Sequence, residues 1–263
     1  GTSMANVNRR GRSANGKIVL GVDPDGPVDR QIGLIRLERP DGSPIALIAN
    51  YAIHGTVLGG RNRLISGDVS GVVAEYVESE IGAPLLLVNG AEGNVAPIYS
   101  VRANFDQSHI GEFKNLLGNR ILSTSASIPN TTSQVTLTLG KTIIETPRRA
   151  ELGWLDELAS YARVTDDGKK LVRIPVPFLK INQETVLWAA PLELFCEISM
   201  EVRRQSPFRN TFYYGLTNGS LLYLPTKQAF AEGGYEPAVS PFTDQAEQDF
   251  TSGVIGALQD LAR

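Results

Sequence analysis

The sequence predicts an α/β fold: a single layered domain with a mixed central sheet flanked by helices. Three observations carry this reading. Short apolar runs of strand type interleave with stretches whose apolar residues recur at helical spacing. Some neighbouring runs are joined by tight-turn sequences, which make hairpins, and others are separated by a helix, which permits parallel pairing. The 263 residues also show no repeat, low-complexity tract or linker at which to divide them.

Taken in order, the opening GTSMANVNRRGRSANG is polar and has no apolar stretch of the signal-peptide kind. Met4 is internal, so this segment reads as an expression remnant or as the cut edge of a longer protein. QIGLIRLE (31–38) and IALIANYA (45–52) form a hairpin around the Asp-Gly turn of RPDGSP. The second run is nearly all apolar, which places it centrally in a sheet. After a Gly-rich turn, Asp68 can cap a helix with Val69, Val72, Val73, Tyr76 and Val77 on its face. APLLLVNG (83–90) is a short buried strand ending in the loop GAEGNVAP.

A helix is expected over 107–123, with Ile110, Phe113, Leu117 and Ile121 on one stripe. QVTLTLGKTIIE (134–145) alternates like a half-exposed strand, and RAELGWLDELASYAR (149–163) has the spacing of an amphipathic helix. VRIPVPFLKIN (172–182) and TVLWAA (185–190) form a second strand pair. ELFCEISMEVRRQ (193–205) has acids early and bases late, as a helix dipole favours. TFYYGLTN and LLYLP are short strands around Asn218-Gly219, and a last helix over 243–262 buries Phe250, Val254, Leu258 and Leu261.

Composition excludes some functions. A formal net charge of −3 with no cationic run argues against a nucleic-acid-binding surface. The single cysteine, Cys196, excludes an internal disulfide framework and is silent on compartment. No apolar stretch approaches the roughly 18 residues of a membrane span.

Polar residues collect at strand ends and turns, where sites in layered α/β folds tend to lie. His54 follows the strand 45–52, and the loop 89–97 follows the strand 84–88. Glu193 follows the strand 185–190 through Pro191, Tyr223 lies past the Asn-Gly turn, and Tyr235 lies in EGGYEP. Neighbouring strands would bring these groups to one edge. Each also has a plain structural reading. His54 can be a hydrogen-bonded strand-end residue, Glu193 a helix N-terminal carboxylate, Tyr223 a packed aromatic, and Arg9 and Arg10 part of a solvated arm. The loop GAEGNVAP looks like an anion-binding turn but lacks the Lys-Ser/Thr ending of a phosphate loop. No H-x-x-x-H pair, cysteine cluster or G-x-S-x-G elbow is present.

An ordered series of segments resembles the catalytic domain of the neutral/alkaline, non-lysosomal ceramidases and their bacterial relatives. The segments are NRR (8–10), VDPDGPVDRQIGLIRL (22–37), NYAIHGTVLGGRNRLISGD (50–68), LLLVNGAEGNVAP (85–97), PLELF (191–195) and SPFRNTFYYGLTNGSLLYLPTKQAFAEGGYE (206–236). The resemblance implies a zinc-dependent hydrolase of an amide bond, in ceramidases the N-acyl bond of the sphingolipid ceramide. It implies zinc (Zn2+) ligands at His54, Glu193 and Tyr223. It places Tyr235 facing the reacting group and Arg9, or Arg10 if the register slips, near the substrate amide. Such a metal polarises the carbonyl and acidifies a bound water, and Arg and Tyr stabilise the developing oxyanion.

Two departures shape the expectation. Where ceramidases carry a catalytic Ser, this chain has Ala96, with Asn94 at the preceding acidic position. A Ser-based route is thereby excluded at that position, leaving a metal-bound water as attacking group or a non-catalytic, ceramidase-like binding protein. The family's other zinc His lies upstream of NRR and has no counterpart here, since His109 in DQSHIGEF reads as a surface or semi-buried helix residue. The expectation is therefore a catalytic domain over 1–263 that lacks its N-terminal part, which would be a partner of this chain, and that has no C-terminal immunoglobulin-like domain. The substrate expected is a small N-acyl amide or lipid-like molecule, and the family setting is extracytoplasmic.

Overall fold

The computed structural model describes residues 1–101 and 107–263. The opening segment is part of the fold, contrary to the reading of a solvated arm. β1 (Asn6–Arg12) pairs antiparallel with β2 (Ile18–Asp23). Its polar side chains hid it, because they are buried by hydrogen bonding. Asn6 Nδ2 donates to the carbonyls of Asp29 and Ala52, and Asn8 Nδ2 to that of Pro27. Arg9 and Arg10 are each only 6% exposed.

β3 (Gly33–Glu38) and β4 (Pro44–Tyr51) form the expected hairpin. α1 (Asp68–Ile81) returns the chain and ends at Gly82, whose φ of 67° suits glycine. β5 (Leu85–Asn89) then pairs parallel to β4, which is central as its apolar run implied. Val69, Val73 and Val77 of α1 pack with Leu47, Ala49 and Leu85 in one core. β6 (Val95–Pro97), inside the GAEGNVAP loop, pairs with β1. Residues 107–126 are helical but broken into a 3-10 turn, a π turn and α2 (Asn119–Ala126). Their stripe of Phe113, Leu117 and Ile121 fills the same core.

The second half builds a larger sheet. β7 (Leu137–Pro147) pairs antiparallel with β9 (Lys170–Ile181), and the segment between them departs from expectation. Residues 149–163 form no amphipathic helix. They make a 3-10 turn at Asp156–Tyr161 and then β8 (Ala162–Val164). Gly153 weakens a helix there, and Trp154 spends its Nε1–H on the Leu158 carbonyl while Arg148 stacks on its ring. Leu158 and Tyr161 still pack on the larger core from the 3-10 turn, but Leu155 stays 64% exposed, so the stripe is not buried as one helical face. β9 (Lys170–Ile181) and β10 (Thr185–Ala189) follow. β11 (Glu193–Leu194) precedes α3 (Cys196–Gln205), and β12 (Asn210–Tyr214) lies parallel to β10. The order is β7-β9-β10-β12, with β8 added to β9.

β13 (Tyr223–Leu224) pairs parallel with β11, and α4 (Lys227–Glu232), α5 (Tyr235–Val239) and α6 (Ala246–Ala262) complete the chain. A second core joins Val172, Ile174, Val176, Phe178 and Trp188 of the sheet to Ile198 and Val202 of α3 and Phe250, Val254 and Leu258 of α6. The mixed α/β class with flanking helices is as expected, its strands distributed over four sheets among the described residues. No helix among the described residues is long and apolar enough to cross a membrane.

Candidate active site

The two cores meet where the ends of β1, β4, β6 and the β11–β13 pair converge. Glu193 and Tyr223 are brought together by register, as opposed residues of the parallel pair β11–β13. Glu193 is therefore a strand residue, not the helix N-terminal carboxylate of the plain structural reading. His54 lies three residues beyond β4, on a loop held by Asp68. The Asp68 carboxylate accepts from the backbone N–H of Val57 and Leu58 at 2.9 and 2.8 Å, and from that of Val69. The aspartate at the start of α1 thus fastens the histidine loop to the helix, a role beyond capping.

His54 Nδ1 lies 2.7 Å from the Val95 carbonyl. A carbonyl only accepts, so Nδ1 carries a proton and Nε2 faces inward, either protonated or free to bind a metal. Nε2 lies 3.0 Å from Glu193 Oε2 and 3.2 Å from Arg9 Nη1. An imidazole lone pair and a carboxylate oxygen at that separation repel unless a cation lies between them, a proton on Nε2 or a metal ion. Orientation of one ring nitrogen by a backbone carbonyl is also how metal-binding histidines are set.

Electrostatics hold the group in its charged state. Burial works against the charge of Glu193, but hydrogen bonds from His54 and Tyr223 and the nearby Arg9 outweigh it and hold its carboxyl below the usual range. Burial and donation to Glu193 push the Tyr223 phenol up, so with no metal it is a neutral donor. A dication at that hydroxyl favours the phenolate instead. Arg9 stands 5.3 Å from the Tyr223 ring centroid. Burial opposes its charge, but Glu236 overcomes that opposition.

Arg9 and Arg10 diverge. Arg9 Nε and Arg10 Nη1 each take one oxygen of Glu236 at 2.9 Å. Beyond that shared partner, Arg9 turns to His54 and Tyr223, while Arg10 turns to Phe195 and the Gly233 carbonyl. Of the two, it is Arg9 that reaches the candidate site. Arg9 Nη2 is buried with no hydrogen-bond partner among the described residues, which leaves a donor at the site. Gly233 and Gly234 make this arrangement possible, with φ of 77° and 102°. A Cβ on Gly234 would stand 2.8 Å from Ile18 and 3.2 Å from Arg10 Nη1. The two glycines bring α5 against β1, so that Glu236 reaches both arginines. Tyr235 then lies edge-on to Tyr223 at 5.7 Å and remains 47% exposed.

Ala96 is buried in β6 opposite Val7 and presents only a methyl. Asn94 is structural: its side chain bonds the Cys196 N–H and Glu197, and its carbonyl the Arg9 N–H. His109 lies elsewhere, stacked on Tyr99 and bonded to Glu112. Among the described residues no three of His, Cys, Asp and Glu gather into a metal-sized group, so this donor set is His54, Glu193 and the Tyr223 phenol.

Sequence reasoning missed two acids. Glu236 was legible in principle, since two consecutive arginines in a buried strand need a counter-charge. Glu92 gave no signal. It is 1% exposed, neither carboxyl oxygen has a hydrogen-bond partner among the described residues, and burial with the adjacent Glu193 charge pushes it up to about 8.

No family model matches the chain. A 60-residue stretch, 23% of the chain, is 35% identical to neutral ceramidase B of Dictyostelium discoideum and covers 8% of that protein. All of this chain superposes on the crystal structure of neutral ceramidase from Pseudomonas aeruginosa, with a TM-score of 0.73 and 16% identity, covering 51% of it. A ceramidase complexed with C2 matches over 99% of this chain and 52% of its own, with a TM-score of 0.72 and 14% identity. The chain thus spans about half the length of these solved structures. Throughout its length it has the neutral ceramidase fold, and part of its sequence resembles that family too.

Proposed function

We propose that this chain carries the metal-binding part of a zinc-dependent hydrolase acting on an amide, N-acyl bond. The observation behind this reading is the approach of His54 Nε2 to Glu193 Oε2 at 3.0 Å, with Nδ1 already committed to Val95. Resemblance to the ceramidases supplies the substrate class. His54 Nε2, the Glu193 carboxylate and the Tyr223 oxygen are ordinary or tolerated zinc donors, so the residues fit the metal. A fourth ligand is expected from a histidine upstream of Gly1. When bound, zinc supplies a Lewis acid and lowers the pKa of a water.

The remaining steps belong to this chain's own side chains. Arg9 Nη2 donates to the substrate carbonyl oxygen as negative charge builds there, held in place by Glu236 through Nε. Tyr235, half-exposed beside Tyr223, gives a second donor from the solvent side. Ala96 takes no part in proton or acyl transfer, because a methyl has neither lone pair nor acidic proton. That residue favours one other reading, a ceramidase-like binding protein without turnover.

The test combines zinc titration of the natural protein and of His54→Ala with turnover of a panel of N-acyl amides. Zinc uptake lost in the variant and hydrolysis by the zinc-loaded parent support the hydrolase. Amide binding without turnover, rescued by Ala96→Ser, supports the binding protein. Equal zinc in both proteins removes the metal assignment.

A further inference from the structure

The loop GAEGNVAP has the sequence of an anion-binding turn, but its donors face the protein. It is buried from Gly90 to Pro97. The N–H groups of Gly90, Gly93 and Val95 donate to the carbonyls of Tyr51, Leu194 and Glu92 at 2.8, 2.9 and 2.7 Å. Consecutive residues of this loop hold separate pieces of the candidate site. Gly93 bonds the strand of Glu193 through Leu194. Asn94 accepts the Cys196 N–H on its side chain at 3.0 Å and the Arg9 N–H on its carbonyl at 2.9 Å. Val95 accepts from His54 Nδ1 at 2.7 Å.

The two glycines set how closely the pieces approach. A Cβ on Gly90 would stand 3.0 Å from the nitrogen of Ala52, two residues before His54. A Cβ on Gly93 would stand 2.5 Å from the Glu193 carbonyl oxygen and 2.9 Å from that of Leu194. Both obstacles are backbone, which cannot swing aside as the end of a side chain can. The loop is thus wedged between the chain leading to His54 and the strand carrying Glu193, and it meets each through a residue with no side chain. A methyl at position 93 forces β11 and the turn apart by the better part of an ångström, and a close-packed interior has no void to absorb that.

We propose, on the metal reading above, that Gly93 is a positioning residue and that the loop Gly90–Val95 is the spacer setting the distance between His54 and Glu193. It acts on a bound metal only through those two ligands. Fixing donors by backbone contact on both sides is how a metal site is preorganised.

Gly93→Ala in the natural protein is the test. Gly71→Ala is the reference, at an exposed position in α1 where a Cβ meets nothing. Zinc affinity should fall at least about tenfold in Gly93→Ala, within the range for groups that orient a ligand, and stay unchanged in Gly71→Ala. Nitrogen-15 spectra of the metal-free proteins read the spacing with no metal bound. His54→Ala identifies the His54 ring signals, and those of His109 are the internal standard. The His54 signals should shift in Gly93→Ala while those of His109 stay. Asn94→Ala removes two side-chain bonds and inserts no atom, so it serves if Gly93→Ala does not fold. It should move both readouts the same way, by less. A folded variant with parental zinc affinity and unmoved His54 signals overturns the proposal, even where its melting temperature falls, because the glycine is then only structural. Equal zinc loss in Gly71→Ala also overturns it. Zinc bound by none of the proteins, the parent included, removes the metal reading, and the His54 signals then decide the spacing by themselves.

Discussion

His54 sits 3.0 Å from Glu193, and His109 sits 2.7 Å from Glu112. By distance the second pair is the better one. His109 and Glu112 belong to one helical turn, with side chains 38% and 48% exposed, and the ring stacks on Tyr99. Water screens that pair, and its geometry is local. His54 and Glu193 are 139 residues apart, with side chains 12% and 16% exposed, and their other partners come from β1, β6 and β13. Only at this pair do burial, a fixed ring nitrogen and a nearby guanidinium coincide. A His–Glu contact therefore says little until the partners of both ends are known.

The largest effect that would break this contrast is on the metal. His54→Ala should abolish zinc retention after dialysis and hydrolysis with it, a loss beyond the about 10–100-fold typical of outer-shell partners. His109→Ala should leave both unchanged. Zinc lost equally from the two variants would erase the distinction.

The next effect is on stability. Glu236 is 1% exposed and neutralises two buried arginines. Glu236→Gln removes the charge and keeps the shape, and should cost about 3–5 kcal/mol in denaturant unfolding. Glu112→Gln should leave the denaturation midpoint where it is. Comparable shifts from the two substitutions would mean that burial is not what separates the regions.

A pH effect follows from Glu92, which belongs to the His54 side of the comparison. Its folded-state pKa lies at about 8, above the ordinary carboxylate value of 4.5. The folded state thus binds the proton more tightly than the unfolded one, so this contribution is full below pH 4.5 and declines as pH rises toward 8. The slope is at most about 1.4 kcal/mol per pH unit. In the metal-free protein, Glu92→Gln should flatten the fall in stability between pH 5 and 8 and be the more stable form at pH 8. A variant whose stability runs parallel to the parent's across that window would place Glu92's proton elsewhere.

These residues also show what the sequence could reveal. β4, α1, β9, β10 and α6 were legible because each carries its burial pattern within its own few residues. β1 was not, since its interior is made of Asn and Arg whose partners lie up to 227 residues away. The false helix at 149–163 has the right spacing, but Leu158 and Tyr161 reach the core from a 3-10 turn and Leu155 is left in solvent, a difference that spacing does not encode. At the site, His54, Glu193, Tyr223, Tyr235 and Arg9 entered through the family resemblance. Residue types alone favoured the plain readings. Glu92 and the Val95 carbonyl were invisible because a buried acid in a Gly-rich loop and a backbone oxygen leave no pattern.

The smallest effect concerns how the His54 loop is held. Asp68 has φ of 48°, an unusual conformation for a residue with a side chain. Its carboxylate takes three backbone N–H groups, two of them from the loop just beyond His54. Asp68→Ala removes the carboxylate from those donors and should cost about 1–3 kcal/mol. Because the loop also sets where Nε2 points, zinc affinity should fall by about 10-fold, within the range for groups that orient a ligand. Asp68→Asn keeps one acceptor oxygen and should lose less of both. A substitution that lowered stability without touching zinc affinity would show that the Nδ1 bond to Val95 suffices to aim the ring, and that the loop only closes the fold around it.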